Sequence, residues 1–160
     1  DPSQNKALPS ELEPKPDAAV TSGDILITRK GPMDRVGVVA YVSKDHPRRM
    51  IPDTVIRIRV DGQEGIRPAF IAWTLGSGVV QRDWHGKKVG VASAQVNINR
   101  TILNNTLVPV PSVQEQDQIL KTLRDVDQAI WRASRPLEAL DSLKRGLMQD
   151  LLTGRVRVTT

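Results

Sequence analysis

Three short runs gather much of the basic and amide chemistry in this sequence. Lys44-Asp45-His46-Pro47-Arg48-Arg49 is a polar segment between apolar runs, and His85-Gly86-Lys87-Lys88 is another. Gln95, Asn97 and Asn99 alternate ahead of Arg100. Arg and Lys neutralise phosphates and read guanine, while Asn and Gln match the adenine edge. The runs therefore hold the groups a duplex reader needs, two as loops free to enter a groove and the third as one face of an extended stretch. Each also has an ordinary reading as solvated surface, and amides on a strand often bond neighbouring backbone instead. Arg57 and Arg59, two apart on one apolar run, either line the same surface or lay their stems across it.

Other chemistry is thinly provided. With no cysteine there is no disulfide, thiol nucleophile, iron–sulfur cluster or thiolate zinc site, which suits a reducing compartment. His46 and His85 are the only imidazoles, too few for a histidine-built metal site. The sequence lacks G-x-x-x-x-G-K-[ST], G-x-G-x-x-G and H-E-x-x-H. Pro52-Asp53 could open a nuclease carboxylate motif, but no Glu-x-Lys follows, and the one such triplet, Glu13-Pro14-Lys15, precedes it. No catalytic residue, metal or cofactor is expected on this chain. Tyr41, Phe70, Trp73, Trp84 and Trp131 are too few for the stacking platforms of single-strand binders, so a nucleic-acid partner would be a duplex. Phe70 and Trp73, at helical spacing, are expected in the core.

The 160 residues are about one domain's worth, enough to bury roughly two thirds of the unfolded surface. The net charge of +5 is unevenly spread: residues 1–24 carry −3, residues 25–111 carry +7 and residues 112–160 carry +1. The opening residues do not form a signal peptide, and no apolar run approaches the roughly 18 to 20 residues of a membrane span. The expectation is a cytoplasmic chain with no membrane partner.

Four of the eleven prolines lie in the first sixteen residues, so residues 1–22 read as an extended lead. Residues 25–28 and 36–42 read as buried strands, and 55–60 as a half-buried strand ending at Asp61-Gly62. Pro68 opens a brief helix through Leu75 that stops at Gly76 or Gly78. A polar loop follows over 82–90, and Val96 and Ile98 then alternate with amides. This is an irregular α+β body.

Beyond it a helical period takes over. Ser112-Val113-Gln114-Glu115 is a capping box, and Gly154 a left-handed stop, so one long helix spans 112–154 ahead of a tail at 155–160. Ile119, Leu123, Val126, Ile130, Ala133, Leu137, Leu140, Lys144, Leu147 and Leu151 step by 4, 3, 4, 3, a heptad seam with one polar member that sets register. Pro136 predicts a kink or two abutting helices, and the unbroken phase favours the kink. About forty residues span about 60 Å, whereas a body of about 110 residues has a radius of gyration of about 13 Å. The stripe should be covered by another helix, and a second partner face widens after Pro136 through Leu143, Met148 and Leu152. The rival reading is a helix folded back on its own body.

Pro109-Val110-Pro111-Ser112-Val113-Gln114-Glu115-Gln116-Asp117-Gln118-Ile119, with the closing run Leu143 to Val158 that contains Leu151-Leu152-Thr153-Gly154-Arg155, resembles the specificity subunit of type I restriction-modification enzymes. Gly23-Asp24-Ile25-Leu26-Ile27 and Gly37-Val38-Val39 are similar to strand openings in that family's target recognition domain. The resemblance implies a non-catalytic, sequence-specific double-stranded DNA reader over 23–111. It implies a helix that pairs as an antiparallel coiled coil and docks methyltransferase subunits, with a restriction subunit in the full complex. S-adenosylmethionine and ATP would then sit on those partners. The chain has only one recognition domain and one such helix, so it is either a fragment or a half-subunit that restores the pair by forming a homodimer. A structural assembly module without DNA readout is the alternative.

Overall fold

A computed structural model describes residues 6–60, 65–92 and 95–157. It divides into two units, residues 1–116 and 117–160.

The first unit is built on two small antiparallel sheets. β1 (Ile25–Thr28) is the centre of one, flanked by β3 (Val39–Tyr41) and β4 (Val55–Ile58). The registers place Ile25 opposite both Tyr41 and Ile58. β1 is the central strand because Ile25 and Ile27 are fully buried, as its β-branched alternation requires. β6 (Gln95–Asn97) is the centre of the other sheet, between β2 (Lys30–Gly31) and β5 (Val89–Ala92).

The expected strand at 36–42 is shorter than its apolar run. Gly37 has φ +89°, outside strand geometry, and a Cβ there would lie 3.0 Å from Ile98 Cδ1 and 3.4 Å from Trp84 Cε3. Val36 and Gly37 are thus a buried turn, and β3 is an edge strand with Ala40 and Tyr41 exposed rather than a buried one. β4 ends two residues early, and the Asp61-Gly62 turn lies outside the described residues.

α1 (Pro68–Gly76) starts at proline as anticipated, because that position needs no amide donor. Its stop differs: Ser77, extended at φ −65° and ψ 150°, breaks the chain in place of a left-handed glycine. The loop expected over 82–90 is instead mostly helix, α2 (Gly78–Lys87). Val80 and Trp84, one turn apart, are both buried and outweigh the poor helix propensity of Gly78 and Gly86. Trp84 is 0 % exposed and its Nε1 donates to Thr106 Oγ1 at 2.8 Å, so it is the core indole. Phe70 is buried as expected, but Trp73 is 40 % exposed, because the buried face of α1 is Phe70, Ile71, Ala72 and Leu75.

α3 (Arg100–Asn104) is short and leads to α4 (Val113–Leu152), a single 40-residue helix. Glu115 N–H donates to Ser112 Oγ at 3.3 Å, half of the expected capping box. Gln116, 0 % exposed, completes the entry: its Oε1 accepts from Arg67 N–H at 2.9 Å, and its Nε2 donates to the carbonyls of Gly65 and Pro111, both at 2.8 Å. α4 continues through Pro136 as one helix, not two abutting ones. Gly154, at φ +73°, follows its end. Along it Val126, Ile130, Leu137, Leu140, Leu147 and Leu151 are exposed, while Ile119 and Leu123 are half-buried. Among the described residues no helix is long and apolar enough to cross a membrane.

Candidate nucleic-acid interface

The 44–49 segment is a loop, and its conformation is fixed at both ends. Val20 N–H donates to Arg49 O at 3.0 Å, Ile51 N–H to Ala18 O at 3.0 Å, and Ser22 N–H to Asp45 Oδ1 at 2.8 Å. Arg49 N–H closes a turn onto His46 O at 3.3 Å. Pro47 occupies the second turn position and Arg48, at φ +63°, the third, the arrangement of a type II turn in which glycine is usual. Arg48 is the only non-glycine at positive φ among the described residues, a backbone state that costs an ordinary side chain about 1–2 kcal/mol.

Three clefts adjoin the lead, and two of them also adjoin this loop. His46, Arg48 and Arg49 face Lys15 and Leu8 across a cleft of about 770 Å³. The same two arginines face Lys6 across a second, of about 630 Å³. Asn99 and Arg100 line a third, of about 1000 Å³, with Arg29 and Arg57, but its walls also carry Glu13, Asp17 and Asp53. Lys44 is exposed on the loop and lines none of them.

The remaining candidates are elsewhere. His85 and Lys87 are on the last turn of α2, not on a loop, and Lys87 Nζ pairs with Asp83 Oδ2 at 2.7 Å. Lys88 follows the helix end, where its Nζ donates to Met33 O at 3.1 Å. Burial lowers the affinity of its amine for a proton, and the charge of Asp34 only partly restores it. The amide face is also altered. Gln95 is exposed on β6, whereas Asn97 is half-buried and its Oδ1 has no hydrogen-bond partner among the described residues. Asn99 is not in the strand: it caps α3, its Oδ1 accepting from Ile102 N–H at 2.9 Å.

Arg57 and Arg59 neither line a groove freely nor lie over it. Arg57 Nη1 donates to Ala19 O at 2.8 Å and Nη2 to Asp17 O at 2.5 Å, which fixes the lead. Arg59 Nε donates to Asp24 Oδ1 at 2.7 Å. The contributions of Lys6 and Lys15 escape a sequence reading, because lone lysines in an acidic, proline-rich segment carry no local signal. They reach the clefts through the Ala19–Met50 bridge and the bond from Lys15 N–H to Met50 Sδ at 3.2 Å.

Among the described residues no group of three or more His, Cys, Asp or Glu side chains is placed to hold a metal ion.

Comparison with known proteins adds a family match. The model described as "Type I restriction modification DNA specificity domain" covers residues 2–138. The chain is similar to the type I restriction enzyme EcoEI specificity subunit of Escherichia coli, with 34 % identity over 122 residues, which is 76 % of this chain and 20 % of that protein. It is also similar to the type I restriction enzyme MjaVIII specificity subunit of Methanocaldococcus jannaschii, with 25 % identity over 152 residues, 94 % of this chain and 35 % of that protein. The chain thus spans about a fifth and about a third of the length of these relatives.

Proposed function

Because the chain belongs to the type I restriction modification DNA specificity domain family, we propose that it recognises a double-stranded DNA sequence. The family match carries the reading, and it spans the segment that holds the basic excess of the sequence. The 44–49 loop supports it further, since among the described residues the side chains of Lys44, Arg48 and Arg49 have no hydrogen-bond or ion-pair partner. Lys44, His46, Arg48 and Arg49 are the foremost DNA-binding residues in this proposal. Gln95 and Arg100 come next, and His85, Lys87, Lys88, Asn97 and Asn99 last, because most of them are engaged within the fold.

In this reading the chain has no catalytic role. It brings methyltransferase subunits, and in the full complex a restriction subunit, to the target, and those partners hold S-adenosylmethionine and ATP. The exposed stripe of α4 is assigned to an antiparallel pairing with a second such helix, from a second copy or a longer chain, and to subunit docking.

Fluorescence anisotropy with duplexes of varied sequence tests the reading. The expected result is a preferred sequence, bound with an affinity that falls steeply with salt as phosphates release counterions. Weak, sequence-blind binding at every salt concentration would overturn it. Replacing Arg48, Arg49, Lys87 and Lys88 with alanine separates it from a purely structural assembly role, in which duplex binding is untouched while subunit assembly fails.

A further inference from the structure

We infer that the lead segment is one wall of the DNA site, and that Lys6, Arg48 and Arg49 together grip the phosphates of one strand. This rests on the DNA-recognition reading and assigns its backbone contacts. The cleft of about 630 Å³ between lead and loop is lined by three cations, Lys6, Arg48 and Arg49, and no carboxylate is among its described lining residues. The side chains of these three have no hydrogen bond or ion pair within the described protein, so their charges are not neutralised internally. The floor is apolar, with Leu8, Met50 and Ile51, and offers no competing anion.

The two walls are held together without these cationic side chains. The Ala19–Met50 bridge and Val20 N–H on Arg49 O fix the lead against the loop, and the Arg57 guanidinium of β4 holds the carbonyls of Asp17 and Ala19, leaving the three cationic side chains free. Arg48 and Arg49 also line the neighbouring cleft that holds Lys15 and His46 together with Asp45, whose carboxylate is engaged by Ser22 N–H, so the two arginines stand between two clefts. A phosphodiester backbone passing them meets cations on both sides. The left-handed backbone at Arg48 fits this placement, since strain of that kind collects at binding sites. Among the described residues of the lead, the acidic side chains Glu11, Glu13 and Asp17 are absent from the lining of this cleft and do not oppose a phosphate there.

The test compares two triple variants of the full chain that lose equal charge. One is Lys6→Ala with Arg48→Ala and Arg49→Ala; the other is Lys121→Ala with Arg124→Ala and Arg132→Ala, all exposed on α4. Affinity for a short mixed-sequence duplex is measured across a salt series. The first triple is expected to reduce the slope of log affinity against log salt by about 2 to 3, roughly 0.9 for each phosphate no longer neutralised. The second should leave it nearly unchanged. An equal reduction in both would mark a general charge effect and overturn the inference, as would an unaltered first triple beside a parent chain that binds. In that last case DNA recognition itself survives; a parent chain that binds no duplex in low salt overturns both. If the first triple fails to fold, Lys6→Ala alone decides, with an expected slope reduction of about 0.9.

Discussion

Arg59 reaches across from the end of β4 to Asp24, with Nε 2.7 Å from an Oδ1 whose side chain is 1 % exposed. The other oxygen accepts from Thr21 N–H at 2.9 Å, and Arg57 Nη1 stands 3.9 Å away. Burial is the largest single influence and pushes the carboxyl upward. The hydrogen bonds from Arg59 and Thr21 and the charges of both arginines together outweigh it and hold Asp24 below its ordinary value of 3.8. A depressed native pKa means stability that is fully present above the unfolded value and is lost as pH falls through the native one. Asp24→Asn should therefore cost about 2–3 kcal/mol at neutral pH, below the usual figure for a buried pair because the Arg59 side chain is 51 % exposed. Urea melts of both proteins should show that difference constant at neutral pH and shrinking below pH 3.8.

Gln116 satisfies three main-chain groups from a fully buried position. Gln116→Glu keeps the shape and the acceptor for Arg67 N–H but loses the donor to Gly65 and Pro111, setting a carboxylate against two carbonyls. The expected loss is about 1–3 kcal/mol, and thermal melting should place this variant below Gln116→Ala.

Arg48→Gly separates stability from binding at one position. Glycine relieves the left-handed backbone, so the melting temperature should rise, by an amount equivalent to about 1 kcal/mol. Duplex affinity should fall at the same time if the guanidinium grips phosphate. A variant that melts lower, or one that binds as tightly as the parent, contradicts one half of this account.

On α4, Leu140 is 61 % exposed within the apolar stripe, beside Leu137, Leu143, Leu147 and Leu151. If a second helix covers it, Leu140→Glu would bury an unpaired carboxylate and abolish association. Light scattering should give a smaller assembly mass for the variant than for the parent; equal masses with subunit docking intact would remove the stripe from the interface.

The parts legible in the sequence are those fixed by local rules. β1 follows from a short β-branched run, α1 from Pro68, and the start of α4 from Ser112 three residues before Glu115. α2 is hidden because its periodic helical signal is only Val80 and Trp84, beside an exposed Val79, polar residues and two glycines; burial, not propensity, decides it. Trp73, expected in the core, is exposed, and Trp84 is buried in its stead, for a similar reason. α1 is apolar nearly all round, and its sequence alone does not say which face turns inward. In the candidate site, residue type marks the 44–49 loop, but the approach of the lead depends on pairings some thirty to forty residues apart, such as Lys15 with Met50 and Asp17 with Arg57. Asn99 is the converse, an amide that looks available until the start of α3 claims it.

The anchoring of the 44–49 loop bears on how the chain tolerates change. Its ends are secured by Gly23 N–H on Val42 O, Val20 N–H on Arg49 O and Ile51 N–H on Ala18 O, all main-chain atoms, and by one side chain, Asp45. Substitution at Lys44, His46, Arg48 or Arg49 removes none of these ties. The loop can therefore vary its lettering while the scaffold that presents it stays constant, so new recognition could arise at this edge without the core having to be refounded.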